Sequence, residues 1–220
     1  MRDKSKKLSG LYLVTQDYFG EEFYRIIEEA IIGGVDIVQY RDKTNPMELR
    51  RNVARKVKDI CSRYDIPFFI DDDVSLAIEI DSDGVHIGKD DMPLPEARRL
   101  FSGFIGYSTY GDREMAIYAE QNGADYVAFG PFFHTGTKKD AGIYDIGVLK
   151  DIHRYVDIPV FVIGGISRSN VSAFSGYDID GIAVVSAIFS SPDPRSAARD
   201  LKEAFQNSVI RSSRSDDRTN

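Results

Sequence analysis

The sequence has few of the residues that build disulfide frameworks, zinc centres and membrane spans. Among 220 residues there are one cysteine, three histidines and no tryptophan. A single cysteine excludes an internal disulfide, and the position of Cys61 on the apolar face of a predicted helix indicates a buried thiol. With so few histidines and one cysteine, neither a zinc site nor a Cys–His nucleophile is expected. The apolar runs are much shorter than the ~20 residues that span a bilayer.

Basic residues are also in deficit, with 28 Lys and Arg against 35 Asp and Glu and a formal net charge of −7. Nucleic acids and anionic membranes attract cationic surfaces, so neither is an expected partner. The basic start is followed by an apolar run that ends at Thr15, which is too short for a signal peptide. We therefore expect a cytoplasmic protein that acts on small molecules. A homo-oligomer is compatible with the sequence.

Short apolar segments rich in β-branched residues alternate with amphipathic helical segments along almost the whole chain. Strands are predicted at residues 11–15, 36–41, 67–72, 84–88, 104–109, 126–131, 159–165 and 181–188. Several are apolar on both faces, as parallel strands covered by helices should be. These consecutive units predict one α/β domain, a single (β/α)8 TIM barrel over residues 1–206, with a doubly wound open sheet as the alternative. Residues 207–220, rich in Ser, Arg and Asp, are predicted to be a disordered tail.

Polar residues follow several predicted strands at their carboxyl ends, where TIM barrels place their functional sites. The second strand ends in Gln39-Tyr40-Arg41-Asp42-Lys43, and alternation turns the first, third and fifth of these residues the same way. Aspartates follow the third and fourth strands. Carboxylates beside cations indicate a hard divalent ion, typically Mg²⁺ held by one or two carboxylates and phosphate oxygens. The combination predicts a site for a diphosphate leaving group.

A second anion site is predicted where the last two strands end. Gly164-Gly165 and Ser186 each precede a helical start, which matches the phosphate sites that barrels often build there. Glycine allows backbone N–H groups to approach phosphate oxygens. In the loop after the sixth strand, Thr135 and Thr137 could reach the same phosphate, and Lys138 could join the cations around the diphosphate.

Each of these features also has a purely structural explanation. Asp73 and Asp90 could simply be helix N-caps, and Thr-Gly-Thr-Lys-Lys alone is an ordinary polar loop. His86 lies within an apolar strand and is expected to be a hydrogen-bonded core histidine. The functional interpretation depends on phosphate-compatible chemistry occurring together at five or six strand ends.

The order and spacing of short motifs resemble the thiamine phosphate synthase family from about residue 11 to residue 205. The motifs lie at residues 11–15, 38–43, 83–88 followed by Asp91, 105–108, 123–131, 135–139, 163–166 and 184–188. The resemblance implies a dissociative transfer, in which pyrophosphate leaves a hydroxymethylpyrimidine diphosphate and the thiazole nitrogen of a thiazole phosphate attacks the resulting cation. Such a reaction needs charge neutralisation and positioning and no protein nucleophile.

The same resemblance implies a role for individual residues. The pyrimidine diphosphate would contact Gln39, Tyr40, Arg41, Asp42, Lys43, Asp71, Ser108 and Lys138, of which Arg41, Lys43, Ser108 and Lys138 would be catalytic. The thiazole phosphate would contact Thr135, Gly136, Thr137, Gly165, Val185 and Ser186. Mg²⁺ would be the cofactor, bound by Asp72 and Asp91.

One motif departs from the family pattern. Asp71-Asp72-Asp73 stands where Asn-Asp-Arg is usual. A carboxylate at position 71 would repel the diphosphate unless a metal lies between them or the carboxylate is protonated, so we predict a greater dependence on Mg²⁺.

Two other activities are compatible with parts of the pattern. A related thiazole tautomerase would keep the phosphate site at Gly165 and Ser186 but would have no use for the cations and carboxylates together. A sensor on the same barrel would bind the phosphate ligand without turnover.

Overall fold

The computed structural model describes residues 8–134 and 142–216, with side chains described as far as residue 208. Eight strands form a closed parallel barrel in sequence order. They are β1 (Gly10–Val14), β2 (Ile37–Tyr40), β3 (Phe68–Asp71), β4 (Gly84–Ile87), β5 (Phe104–Tyr110), β6 (Tyr126–Phe129), β7 (Val160–Ile163) and β8 (Gly181–Val184). The pairing of Leu11 with Ile182 closes the ring. The predicted TIM barrel is confirmed, and the open sheet is excluded.

Helices cover the outside of this barrel. They are α1 (Glu22–Ile32), α2 (Met47–Arg63), α3 (Val74–Glu79), α4 (Leu94–Leu100), α5 (Arg113–Gln121), α6 (Ser186–Phe189) and α7 (Pro194–Asp216). Short 3-10 helices at Ile146–Leu149, Ile152–Arg154 and Val171–Phe174 stand in place of the helices after β6 and β7. Cys61 is fully buried on α2, and burial raises the pKa of its thiol. In the part of the chain that the structure describes, no helix is long and apolar enough to cross a membrane.

The last helix extends beyond the predicted end of the domain. Residues 207–216 belong to α7, where the sequence predicted an irregular tail from residue 207. Phe205 and Ser208 are buried. The Ser175 hydroxyl donates to the carbonyl of Ser208 at 3.3 Å, and the Ser208 hydroxyl donates to that of Ala204 at 2.8 Å. The helix therefore runs past residue 206, where composition had placed the end of the domain. The last four residues lie outside the described part.

Large rings fill the barrel interior beside glycines on the neighbouring strands. Tyr126 pairs in register with Gly106, and Phe161 pairs with Gly181. A Cβ atom at Gly106 would lie 2.0 Å from the ring of Tyr126, so only glycine leaves room for that ring. The hydroxyls of Tyr12 and Tyr126 are 2.9 Å apart. The rings of Tyr12 and Tyr126 each pack edge to face against Phe161, as aromatic pairs prefer, and the three rings form a layer below the carboxyl ends of the strands.

Four aspartates recur at the amino end of the barrel, each just before an even-numbered strand. We call Asp36, Asp83, Asp125 and Asp180 the base aspartates. Each accepts a hydrogen bond of 2.8 or 2.9 Å from a backbone N–H at or next to the start of the preceding strand, that of Leu11, Phe68, Ile105 and Val160 respectively. Three also face a basic side chain, namely Lys202, Arg98 and His153. The repeated pattern ties the strands together in pairs.

Candidate active site

A cavity of about 310 Å³ opens at the carboxyl ends of the strands. This volume is in the range of small-molecule sites. Its inner wall includes the rings of Tyr12, Tyr126 and Phe161. The predicted site residues that line it are Gln39, Arg41, Lys43, Asp71, Asp72, Asp91, Ser108, Gly165, Val185 and Ser186. Residues that follow β2, β3, β4, β7 and β8 are thus brought together as predicted, with Ser108 on β5.

Two predicted contacts, Tyr40 and Asp42, do not line the cavity. Both are 2% exposed, and the ring of Tyr40 packs outside the barrel against Phe23. Alternation explains the difference, because Gln39, Arg41 and Lys43 point inward and the two residues between them point away. Of the five residues 39–43, three therefore line the cavity, and Tyr40 and Asp42 are buried behind them.

The inward-facing residues of β2 meet the end of β3 at Asp71. Its carboxylate accepts from Gln39 Nε2 at 2.5 Å, and its Oδ2 lies 2.9 Å from Lys43 Nζ and 3.7 Å from Arg41 Nε. Lys43 also forms an ion pair with Asp72. Burial raises the pKa of Asp71, and the neighbouring Asp72 adds to the rise, while the two cations oppose it. The cations compensate a buried carboxylate that would otherwise be costly.

The charge of Lys43 is maintained by its two carboxylate partners. Burial alone would lower the pKa of Lys43, but Asp71 and Asp72 outweigh it and raise that pKa above its ordinary value. The ammonium group is thus a positive charge held beside Asp71 and Asp72 in the wall of the cavity.

Asp72 and Asp91 face each other across the ends of β3 and β4. The Oδ2 atom of Asp91 accepts from the backbone N–H of Gly88 at 2.7 Å. Burial raises the pKa of Asp91 to about 6, and the adjacent Asp72 carboxylate contributes to the rise, while the Gly88 hydrogen bond opposes it. Two carboxylates pressed together in this way supply the hard oxygen ligands that Mg²⁺ prefers.

No third acidic or imidazole ligand joins this pair within residues 8–134 and 142–216. Mg²⁺ usually keeps several waters and binds through one or two carboxylates plus substrate phosphates. The pair therefore fits a magnesium ion that is shared with a ligand, and it does not form a closed structural metal site. Of the other two aspartates, Asp73 caps α3 by accepting from Leu76 N at 2.9 Å, and Asp90 lines the cavity.

The opposite wall of the cavity is formed by backbone. Gly164 and Gly165 have φ values of +100° and +67°, and a Cβ atom at Gly165 would lie 2.4 Å from the carbonyl oxygen of His134. Asn170 fixes the following turn, because its side chain donates to Gly165 O at 2.9 Å and accepts from Ser167 N at 2.8 Å. This wall suits a phosphate that is bound by backbone groups and the Ser186 hydroxyl. Thr135, Gly136, Thr137 and Lys138 lie outside the described residues.

The sequence motifs are matched by known proteins. A sequence profile of the family described as thiamine monophosphate synthase matches residues 11–188. The chain belongs to this family. The thiamine-phosphate synthase of Thermoplasma acidophilum is 72% identical over 212 residues, which cover 96% of this chain and 100% of that protein. The thiamine-phosphate synthase of Picrophilus torridus is 49% identical over 201 residues, which cover 91% of this chain and 98% of that protein.

A solved structure shows the same architecture. The thiamine phosphate pyrophosphorylase from Pyrococcus furiosus superposes with a TM-score of 0.82 at 34% identity, covering 91% of this chain and 96% of that one. The resemblance inferred from the motifs is therefore confirmed, and the cavity belongs to an enzyme of the thiamine monophosphate synthase family.

Several cavity residues of this family member were not identified as site residues from the sequence, among them Tyr12, His86, Tyr110 and Tyr126. Tyr12 and Tyr126 look like ordinary strand residues, yet both line the cavity, and burial raises the pKa of both phenols. Tyr126 Oη is 2.9 Å from Nδ1 of His86, which confirms the expected hydrogen-bonded histidine and also places it at the cavity. Tyr110, with φ of +56°, lies beside Asp72 and Asp91, which we call the acidic pair. Inward alternation along β1 and β6 could have identified the two interior tyrosines.

Proposed function

We propose that this protein catalyses the synthesis of thiamine phosphate. It would join 4-amino-2-methyl-5-hydroxymethylpyrimidine diphosphate to a thiazole phosphate and release pyrophosphate. The observation that carries the proposal is the cluster in which Lys43 contacts Asp71 and Asp72 beside Asp91. In a member of this family, that cluster would supply both the cations and the metal ligands that a diphosphate leaving group requires. A tautomerase or a phosphate sensor has no use for this combination.

The leaving group would be stabilised by charge. As the bond between the pyrimidine methylene carbon and the diphosphate oxygen breaks, both electrons go to the oxygen, so negative charge grows on the diphosphate. Arg41 and Lys43 lie where they would neutralise this charge, and we assign the same role to Lys138 and a hydrogen-bonding role to Ser108. When bound by Asp72 and Asp91, Mg²⁺ supplies further positive charge to the diphosphate oxygens.

The acceptor substrate would be positioned from the opposite wall. Its phosphate would bind at Gly165, Val185 and Ser186, with the loop residues Thr135, Gly136 and Thr137 completing the site. This arrangement would direct the thiazole nitrogen toward the methylene cation, and carbon–nitrogen bond formation would need no proton removal by the protein. Holding both partners in one cavity provides the acceleration that proximity gives.

The deciding experiment measures pyrophosphate release from the pyrimidine diphosphate, with and without thiazole phosphate and Mg²⁺. We expect release that requires both additions and that falls by about a hundredfold or more in Asp72→Ala, on the scale of losing one charge-stabilising group. Asp193→Ala is the matched control, because it removes an aspartate that caps α7 away from the cavity. Release that needs no thiazole phosphate, or that persists in Asp72→Ala, would contradict the proposal.

A further inference from the structure

Asp42 lies between Arg41 and Lys43 but on the other side of the backbone. It is 2% exposed and does not line the cavity. Its carboxylate instead occupies the space between the loop that follows β1 and the loop that follows β2. An acidic group that is buried between the two diphosphate-facing cations, and contacts neither cavity nor solvent, requires an explanation.

Five donors surround the Asp42 carboxylate. Oδ2 accepts from the Tyr40 hydroxyl and Asn45 Nδ2, both at 2.9 Å, and from Tyr18 N at 3.2 Å. Oδ1 accepts from Asn45 N at 3.1 Å and Thr44 N at 3.3 Å. Burial alone would raise the pKa of Asp42, but these bonds outweigh it and hold the pKa below its ordinary value. The charge is therefore stabilised by oriented hydrogen-bond donors, and these donors connect the loop after β1 to the loop after β2 through one carboxylate.

The backbone on both sides of Asp42 is fixed as well. The Thr15 hydroxyl accepts from Arg41 N at 2.9 Å and donates to Arg41 O at 3.1 Å. Asp17 accepts from Lys43 N at 2.9 Å and from the Thr44 hydroxyl at 2.7 Å. Arg41 and Lys43 thus project from a segment that is held at every residue, although their own side chains are long and only partly buried.

We propose that Asp42 is a positioning residue for the diphosphate end of the site. By closing the β2–α2 loop onto the β1–α1 loop, it fixes the Cα positions and directions from which Arg41 and Lys43 reach the leaving group. The inference rests on the proposed function, which assigns the diphosphate to these two cations. Such preorganisation matters because a loop that is free before binding must be ordered when the substrate binds. The entropy lost in ordering the loop weakens substrate binding.

Asp42→Asn tests this role with almost no change of shape. The amide keeps one acceptor oxygen and turns an N–H group toward donors, so the two loops separate. We expect kcat/KM for the pyrimidine diphosphate to fall by about tenfold, mainly through its KM, while the KM for thiazole phosphate stays within about twofold. Asp125→Asn is the matched control, because Asp125 also accepts a backbone N–H but lies at the amino end of the barrel. It should lower the Tm and leave both KM values unchanged.

The outcomes separate positioning from stability. If Asp42→Asn lowers the Tm as Asp125→Asn does but leaves the KM for the diphosphate substrate unchanged, Asp42 is only structural and the proposal is wrong. If Asp42→Asn does not fold, Tyr40→Phe and Asn45→Ala each remove part of the same network and should raise that KM by a smaller factor. Unchanged KM values in both would overturn the proposal.

A binding measurement distinguishes failure of this inference from failure of the proposed function. Calorimetric titration of the full-length protein with inorganic pyrophosphate and Mg²⁺ requires no turnover. If the wild-type protein shows no synthesis yet binds pyrophosphate, weaker binding in Asp42→Asn than in Asp125→Asn still supports positioning. Equal affinities in the two variants would contradict it, whatever the activity.

Discussion

The two ends of the barrel use the same residue type in opposite ways. At the amino end, each base aspartate lies before a different strand and accepts a hydrogen bond from a backbone N–H of the preceding strand. At the carboxyl end, Asp71, Asp72 and Asp91 lie close together, and the pKa values of Asp71 and Asp91 are raised by burial and by the neighbouring Asp72. Carboxylates are thus dispersed and satisfied at one end but concentrated at the other.

Dispersed and clustered carboxylates affect the stability of the folded protein in opposite directions. A dispersed carboxylate that accepts a strand N–H satisfies a backbone donor and holds two strands together, which favours the folded state. Concentrated carboxylates repel each other, which costs stability unless cations join them. Lys43 and Arg41 supply part of the compensation, and a divalent ion would supply more. A TIM barrel can tolerate such a cluster at its carboxyl end because the rest of the ring determines the fold.

The largest expected effect comes from removing the cation at the centre of the cluster. Lys43→Met keeps the apolar stem and deletes the charge that contacts Asp71 and Asp72. We expect kcat/KM for the pyrimidine diphosphate to fall by about 10²–10³-fold, comparable to losing one electrostatic stabiliser of a transition state. Steady-state kinetics measure the effect.

Lys202→Met provides the comparison at the other end of the barrel, because it removes the partner of Asp36. It should change the Tm and leave the kinetic constants intact. Similar kinetic losses in both lysine variants would show that the two ends do not differ in function.

The next effect concerns stability at the amino end. Asp125→Asn weakens the ion pair with Arg98 at 2.8 Å and the hydrogen bond from Ile105 N. When a partly buried donor loses its charged acceptor, the free energy of unfolding falls by about 1–3 kcal/mol. Urea unfolding should show this loss in the free energy of unfolding, while kcat remains that of the wild-type protein. A fall in kcat under conditions where the variant remains folded would mean that the base aspartates influence the cavity.

A pH effect should distinguish the acidic pair from the base aspartates. Because the pKa of Asp91 is raised from 3.8 to about 6 in the folded state, the folded protein binds this proton more tightly than the unfolded chain does. The resulting stabilisation is present below about pH 4 and is lost as the pH rises through about 6. Without metal, wild-type Tm should therefore fall across this window relative to Asp91→Asn.

Magnesium should reverse this trend, since it binds the deprotonated carboxylate. Its stabilising effect on the wild-type protein should appear above about pH 6 and be much weaker in Asp91→Asn. A wild-type Tm that follows the variant at every pH, with and without Mg²⁺, would rule out the raised pKa.

The sequence predicted the barrel well because each strand is marked by local features. Buried apolar runs with glycine and aspartate before them identify strands such as β6 and β8 without any knowledge of tertiary contacts. The inward set at the cavity followed from alternation in β2. By contrast, the burial of Asp42 depends on Tyr18 and Asn45 in two different loops. Such a contact is tertiary and leaves no periodic signal. The hydrogen bond from the Ser175 hydroxyl to the carbonyl of Ser208 in α7 is a tertiary contact of the same kind.

The smallest expected effect tests why a carboxylate stands at position 71. Asp71 contacts Lys43, Arg41 and Gln39, so a carboxylate of the protein itself neutralises part of the cationic charge that a diphosphate would otherwise meet. Asp71→Asn keeps an acceptor for Gln39 and releases that charge. The variant should therefore need less Mg²⁺, with a half-saturating concentration lower by about twofold to fivefold, since one partly screened charge is removed. Pyrophosphate release measured across a magnesium titration gives this value. An unchanged magnesium requirement would show that Asp71 does not compete with the diphosphate, and its burial against Lys43 would then serve only to hold that side chain in place.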